Sequence, residues 1–162
     1  MPEKIYVGDL ESLVENKKVE GKQLKIGNEN FYKISNVDKM RPFFMSIVSN
    51  SNHWMFISST GSLSAGRKNS EFSLFPYYTD DKITESSDTT GSKTIILVKK
   101  NNKNFLWEPF SNRYKGAYKV SRNIYKNTIG NKVIFEEVNH DLNIEFSYQW
   151  NSSNKYGFVR KS

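Results

Sequence analysis

"LNIEFSYQW", residues 142–150, decides the fold class. Leu142, Ile144, Phe146, Tyr148 and Trp150 alternate with Asn143, Glu145, Ser147 and Gln149. An extended chain turns every apolar member of this series to one face and every polar member to the other, so the stretch is a half-buried strand. Upstream, "KVIFEEV" (132–138) is a second strand-like run, and "NHD" (139–141) between them carries Asn and Asp, whose side chains hydrogen-bond the backbone in turns. The two runs predict a hairpin.

The same grammar extends outward. Residues 118–128 run into "IGN" (129–131), where Gly130 suits a turn, and "TIILVKK" (94–100) passes through "NNKN" (101–104) into "FLWEPF" (105–110). These runs predict a meander of about five strands. In the first half, "QLKIG" (23–27) and "FYKIS" (31–35) flank "NEN", while "PFFMSIVS" (42–49) and "WMFISS" (54–59) flank "NSNH". Thr60-Gly61 marks a tight turn between two further extended runs. The best helical candidate is "DLESLVENKKV" (9–19), with Leu10, Leu13 and Val14 at helical spacing over a short stretch. The expected fold is all-β, an antiparallel β-sandwich of roughly eight to twelve short strands.

Composition bounds the function. A chain of 162 residues fits one domain, 1–162, with residues 1–23 as a less regular N-terminal segment. There are no cysteines, which excludes disulfides and thiolate metal sites. No apolar run has the length of a signal peptide or membrane span, so the reading is cytoplasmic with no membrane partner. Net charge is +7, but Lys17-Lys18, Lys99-Lys100 and Lys103 are scattered in turn-like groups, which argues against nucleic acid. A basic interaction protein would show strongly salt-dependent binding. Aromatic residues make up 14% of the chain, suited both to strands and to platforms for sugar rings.

Catalytic signatures are scarce. There is no P-loop, GxSxG, HExxH or CxxC, and neither His53 nor His140 has a second ligand at metal spacing. No metal, cofactor or catalytic residue is assigned. His53 and His140 read as solvated residues in or beside turns. Asp80-Asp81 resembles a glycosidase pair only superficially, because two carboxyls must flank one bond about 5–9.5 Å apart. "TDDK" (79–82) instead suits a capped turn or short helix.

The segment "GSLSAGRKNSEFSLFPYYTDDKI" (61–83) is too apolar for a linker. Leu63, Phe72, Leu74, Phe75, Tyr77 and Tyr78 are expected to anchor it on a sheet, while Arg67 either lines a sugar pocket with the tyrosines or forms an internal ion pair.

"WMFISSTGSLSAGRKNSEFSLFPYYTDDKI", "LWEPF" and "FSYQWNSSNKYGFVRKS" resemble the N-terminal region of large carbohydrate-active proteins of the cellobiose-phosphorylase type, related to six-hairpin glycosidases. That region is a galactose-mutarotase-like super-sandwich preceding an (α/α)6 barrel. The resemblance spans about residues 40–162. It implies catalytic carboxylates in the barrel, with the sandwich packing on it, shaping the substrate site or a homodimer contact. This chain matches no barrel, and "GFVRKS" opens a strand that stops at Ser162, so the expectation is an N-terminal fragment with an incomplete super-sandwich. Its partners would be carbohydrate or the downstream barrel, with Arg67, Tyr77, Tyr78, Asp80 and Trp107 as ligand or interface candidates. A stand-alone carbohydrate-binding module is the alternative, and it requires a ridge of exposed Tyr or Trp.

Overall fold

The computed structural model describes residues 4–7, 10–13, 17–75, 77–85 and 87–162, with the side chains of the first two segments and of Asp80 excepted. Thirteen strands lie in these residues, one more than the upper expectation. The first half holds β1 (Lys4–Val7), β2 (Leu10–Leu13), β3 (Glu20–Ile26), β4 (Glu29–Ser35), β5 (Phe44–Ile47), β6 (His53–Ser58) and β7 (Leu63–Arg67). A short helix, α1 (Asp80–Glu85), precedes β8 (Ile96–Lys100), β9 (Lys103–Trp107), β10 (Val120–Asn127), β11 (Lys132–Asn139), β12 (Ile144–Ser153) and β13 (Gly157–Lys161).

The fold is all-β with antiparallel sheets, as the alternation implies. Hairpins close where turn chemistry permits. Asn101 and Asn102 both adopt left-handed backbone (φ 51° and 58°), the geometry whose twist matches a two-residue hairpin between β8 and β9. Between β10 and β11, the Asn127 side-chain carbonyl accepts from Gly130 N and Lys132 N, both at 3.0 Å. The β11–β12 turn occupies His140–Asn143, later than "NHD", and Asn139 from the end of β11 accepts from Leu142 N at 3.0 Å.

Two expectations are corrected. The five-strand meander is broken, because β8–β9 forms its own two-stranded sheet and only β10–β13 run consecutively. The large sheet instead has the order β13-β12-β11-β10-β4-β3, with β4 joining β10 across the molecule. The helical spacing at Leu10 and Leu13 also misleads, since Leu10–Leu13 pairs as a strand with Lys4–Val7; Val14 lies outside the described residues. Four residues gain more from ladder hydrogen bonds than from a helix too short to offset its nucleation. The N-terminal segment is thus partly regular, and β3 begins at Glu20.

The three-stranded sheet β5-β6-β7 packs face to face on the large sheet. Met45 and Ile47 from β5, Met55 and Ile57 from β6, and Leu63 and Ala65 from β7 meet Ile124, Val133, Phe135, Tyr148 and Trp150. Burial stabilises each large side chain by about 1.5–3 kcal/mol, which makes this seam the main source of fold energy. At one end the row facing inward carries Lys126, whose ammonium donates to Ser46 O (2.5 Å) and Gly130 O (3.2 Å) and is pulled down in pKa by desolvation.

Burial raises the Tyr148 phenol above its ordinary value, outweighing the opposite pull of Arg160, whose guanidinium lies 4.9 Å from the ring centroid. Tyr125 moves the same way through desolvation first and then its bonds to Glu136. A folded state that holds a proton more tightly than the unfolded chain is fully stabilised below the free phenol value of about 10 and loses that stability as pH rises beyond it. Phenolate absorbance followed against pH should show these two phenols ionising only as the fold unravels. Reversible ionisation of all nine tyrosines in the native protein would refute this.

Among the described residues, no helix is long and apolar enough to cross a membrane.

Candidate functional site

Strand β6 is apolar on both faces. Met55 and Ile57 enter the core, so period-two geometry turns Trp54, Phe56 and Ser58 outward. Gly66 stands opposite Trp54 in β7, where a Cβ would lie 2.5 Å from the indole and 2.7 Å from Phe72 O. Glycine therefore lets the indole lie on the sheet and the chain recross at the Gly66–Ser73 bridge. Trp54 Nε1 donates to Asn69 O at 3.3 Å.

Aromatic rings line up along this outward face. Phe44 stacks on Phe56 at 5.4 Å, Phe56 lies 5.8 Å from Trp54, and Trp54 meets Tyr77 edge-on at 5.8 Å. One end of the face is covered: α1 packs against β6, with Ile83 fully buried and Ser58 and Ser64 inaccessible. The rest is open. Phe44, beside Ser58 on the edge strand β5, and Phe72, Leu74 and Tyr77, toward the Trp54 end, are 40–66% exposed, and exposed Arg41, Arg67 and Lys68 lie in the same segments.

The sequence-predicted residues divide between two places. Arg67 ends β7, exposed, opposite His53 in register. Tyr77 joins the aromatic row, Tyr78 is half-buried, and Asp80 opens α1. Asp81 accepts from the Thr79 hydroxyl and from Lys82 N (2.8 Å), and these bonds, Thr79's first, hold its carboxyl below the usual range. The short helix expected at "TDDK" is thus present, with Asp81 accepting one backbone N–H inside its first turn. The expected anchoring is only partly so: Leu63 and Phe75 pack on the core, but Phe72, Leu74 and Tyr77 face solvent. Phe44, Trp54 and Phe56 are not among the sequence-predicted residues, although the unbroken apolar character of "PFFMSIVS" and "WMFISS" is a readable sign that both faces need cover.

Trp107 lies elsewhere. The core-facing row Ile124–Phe135–Tyr148 continues, one repeat on, to Arg122–Glu137–Phe146, beneath the loop that follows β9. Glu137 is 2% exposed; its Oε1 accepts from Trp107 Nε1 (2.9 Å), and its Oε2 accepts from Phe110 N (2.7 Å) and Arg122 Nε (2.7 Å). Arg122 reaches back to Asn112 Oδ1 (3.0 Å) and Ser111 O (2.7 Å). One buried carboxylate therefore binds loop 107–112 to the sheet, and Phe110 completes the lid against Phe135, Phe146 and Tyr148. Trp107, itself 2% exposed, is part of that support rather than an open stacking surface.

A cleft of about 550 Å³ opens beside this loop, between Trp107, Tyr114, Tyr118, Arg122 and Asp141. A second of about 350 Å³ shares Asp38, Asn112, Lys115 and Arg122 with it. The turn that walls both is ordered by Ala117 N to Tyr114 O (3.0 Å) and by Lys119 N to Asp141 Oδ2 (2.7 Å).

His53 is half-buried, not solvated as expected: Ser51 Oγ lies 2.6 Å from its Nδ1 and its ring meets Phe158 edge-on. His140 is exposed in its turn, 2.8 Å from Ser121 Oγ. Among the described residues no three His, Asp or Glu side chains gather as a metal site. Compared with models of known protein families and with curated proteins, the chain matches none.

Proposed function

We propose that this chain is the non-catalytic N-terminal β-sandwich domain of a carbohydrate-active enzyme of the glycoside phosphorylase or hydrolase type. Its aromatic face on β5-β6-β7, with loop 67–79, packs on a catalytic (α/α)6 barrel and helps shape the barrel's substrate site. The supporting observation is β6 itself, a strand apolar on both sides whose outward aromatic residues, Trp54 and Phe56, are only half-buried and are flanked by exposed Phe44 and Tyr77. Exposed aromatic surface rimmed by cations is the composition of a protein interface, with Tyr, Trp, Phe and Arg at its centre. Tyr77 and Arg67 lie at that rim.

The native protein in its source cells, blotted with an antibody raised against this chain, should run several times larger than 18.8 kDa. A native band at 18.8 kDa overturns the proposal. A second reading is favoured by the same row of rings: exposed Tyr77 beside half-buried Trp54 offers part of the ridge a stand-alone carbohydrate-binding module needs, and the small band together with glycan affinity lost in Trp54→Ala would establish it.

A further inference from the structure

The cleft beside loop 107–119 shares no residue with the aromatic face, and its chemistry points to a small ligand. Its volume of about 550 Å³ is that of ordinary ligand pockets. Its walls are fixed before any ligand arrives, because Arg122 holds Ser111 and Asn112 while Asp141 holds Lys119 N. Preorganised walls reduce the ordering cost of binding.

The lining is charged but balanced. Lys39, Lys115, Lys119 and Arg122 stand against Asp38, Glu108, Glu137 and Asp141. Lys39 pairs with Asp38 at 3.4 Å, Arg122 with Glu137 at 2.7 Å, and Glu108 with Lys93 at 2.6 Å. Such a lining has little net field to draw a phosphate, yet it keeps unspent donors and acceptors of both kinds. Each terminal nitrogen of Arg122 carries two hydrogens and gives one to Asn112 or Ser111, leaving one apiece. Asn112 spends its carbonyl on Arg122 and keeps its amide N–H groups, while Asp141 commits Oδ2 and keeps Oδ1. Beside them Tyr114 is 47% exposed, an aromatic face at the mouth, and Gly116 and Ala117 add no bulk. A neutral ring bearing several hydroxyls, each both donor and acceptor, with an apolar face to stack, matches this inventory.

We propose that the cleft between loop 107–119 and the Val120 end of β10 binds a neutral saccharide, with Tyr114 as the stacking face. Arg122, Asn112 and Lys115 serve as donors, and Asp38 and Asp141 as acceptors. The site lies off the docking face and is independent of what that face covers.

Backbone amide spectra of the full chain, isotopically labelled, are recorded against neutral disaccharides of glucose, galactose, mannose and xylose, and against inorganic phosphate. At least one disaccharide should give saturable shifts concentrated in residues 111–119, and Tyr114→Ala should weaken it about tenfold or more. Tyr114 is exposed, so the variant's spectrum should retain the dispersion of the parent fold; Lys115→Ala is the companion if it does not. The proposal is overturned by absence of saturable shifts with every sugar, by phosphate binding the same residues more tightly, or by shifts centred on Trp54 and Tyr77. It is equally overturned by binding unchanged in Tyr114→Ala and Lys115→Ala.

Discussion

Glu137→Ala is expected to destabilise the protein by about 3–5 kcal/mol, the cost of leaving a buried charge without its partner. Its carboxylate is 2% exposed and serves three donors at once, so truncation leaves the Arg122 guanidinium, the Trp107 indole N–H and the Phe110 amide short of an acceptor. Urea unfolding of the two proteins measures the difference, and Arg122→Ala closes a double-mutant cycle whose coupling should fall at about 0.5–3 kcal/mol. A loss below about 1 kcal/mol for Glu137→Ala would mean that the loop is held by Phe110 packing alone. The same variant should broaden amide signals across residues 107–112, because this side chain anchors Trp107 and Phe110 directly and Ser111 and Asn112 through Arg122.

Phe135→Ala should cost about 3–5 kcal/mol for a different reason, the removal of a large ring from a site that cannot collapse around the void. Phe135 stacks on Tyr148 at 5.0 Å, receives Phe110 edge-on at 6.3 Å, and sits in the middle strands of the large sheet, where neighbours on both sides resist movement. Thermal unfolding, compared with Phe44→Ala as an exposed aromatic control, separates core from surface. Phe44→Ala should change stability by far less, since its ring is 40% exposed. Equal losses would show that the aromatic face, not the seam, holds the sandwich together.

Much of this was legible locally. Alternation around Tyr148 and Trp150 gave β12 its inward face, and Thr60-Gly61, Gly130 and the Asn101-Asn102 pair placed turns where left-handed backbone is tolerated. The short helix at "TDDK" was readable because its polar first turn is satisfied by immediate neighbours, Thr79 and Lys82 bonding to Asp81. The site was less legible. Residue type points to Tyr77 and Arg67, which border the open face, but not to Trp54, which organises it, and it points to Trp107 although that indole is buried against Glu137.

By itself the sequence determined the all-β class, most of the hairpins and which residues of a strand share a face, because turn preference and period-two geometry act over a few residues. Only the tertiary structure decided that β4 joins β10, that β8–β9 stands apart, that Leu10–Leu13 extends, and which aromatic residues are covered. Those outcomes depend on contacts between residues up to about a hundred positions apart, such as Lys132 with Glu29, and no local pattern encodes which of two equally apolar faces another sheet will occupy.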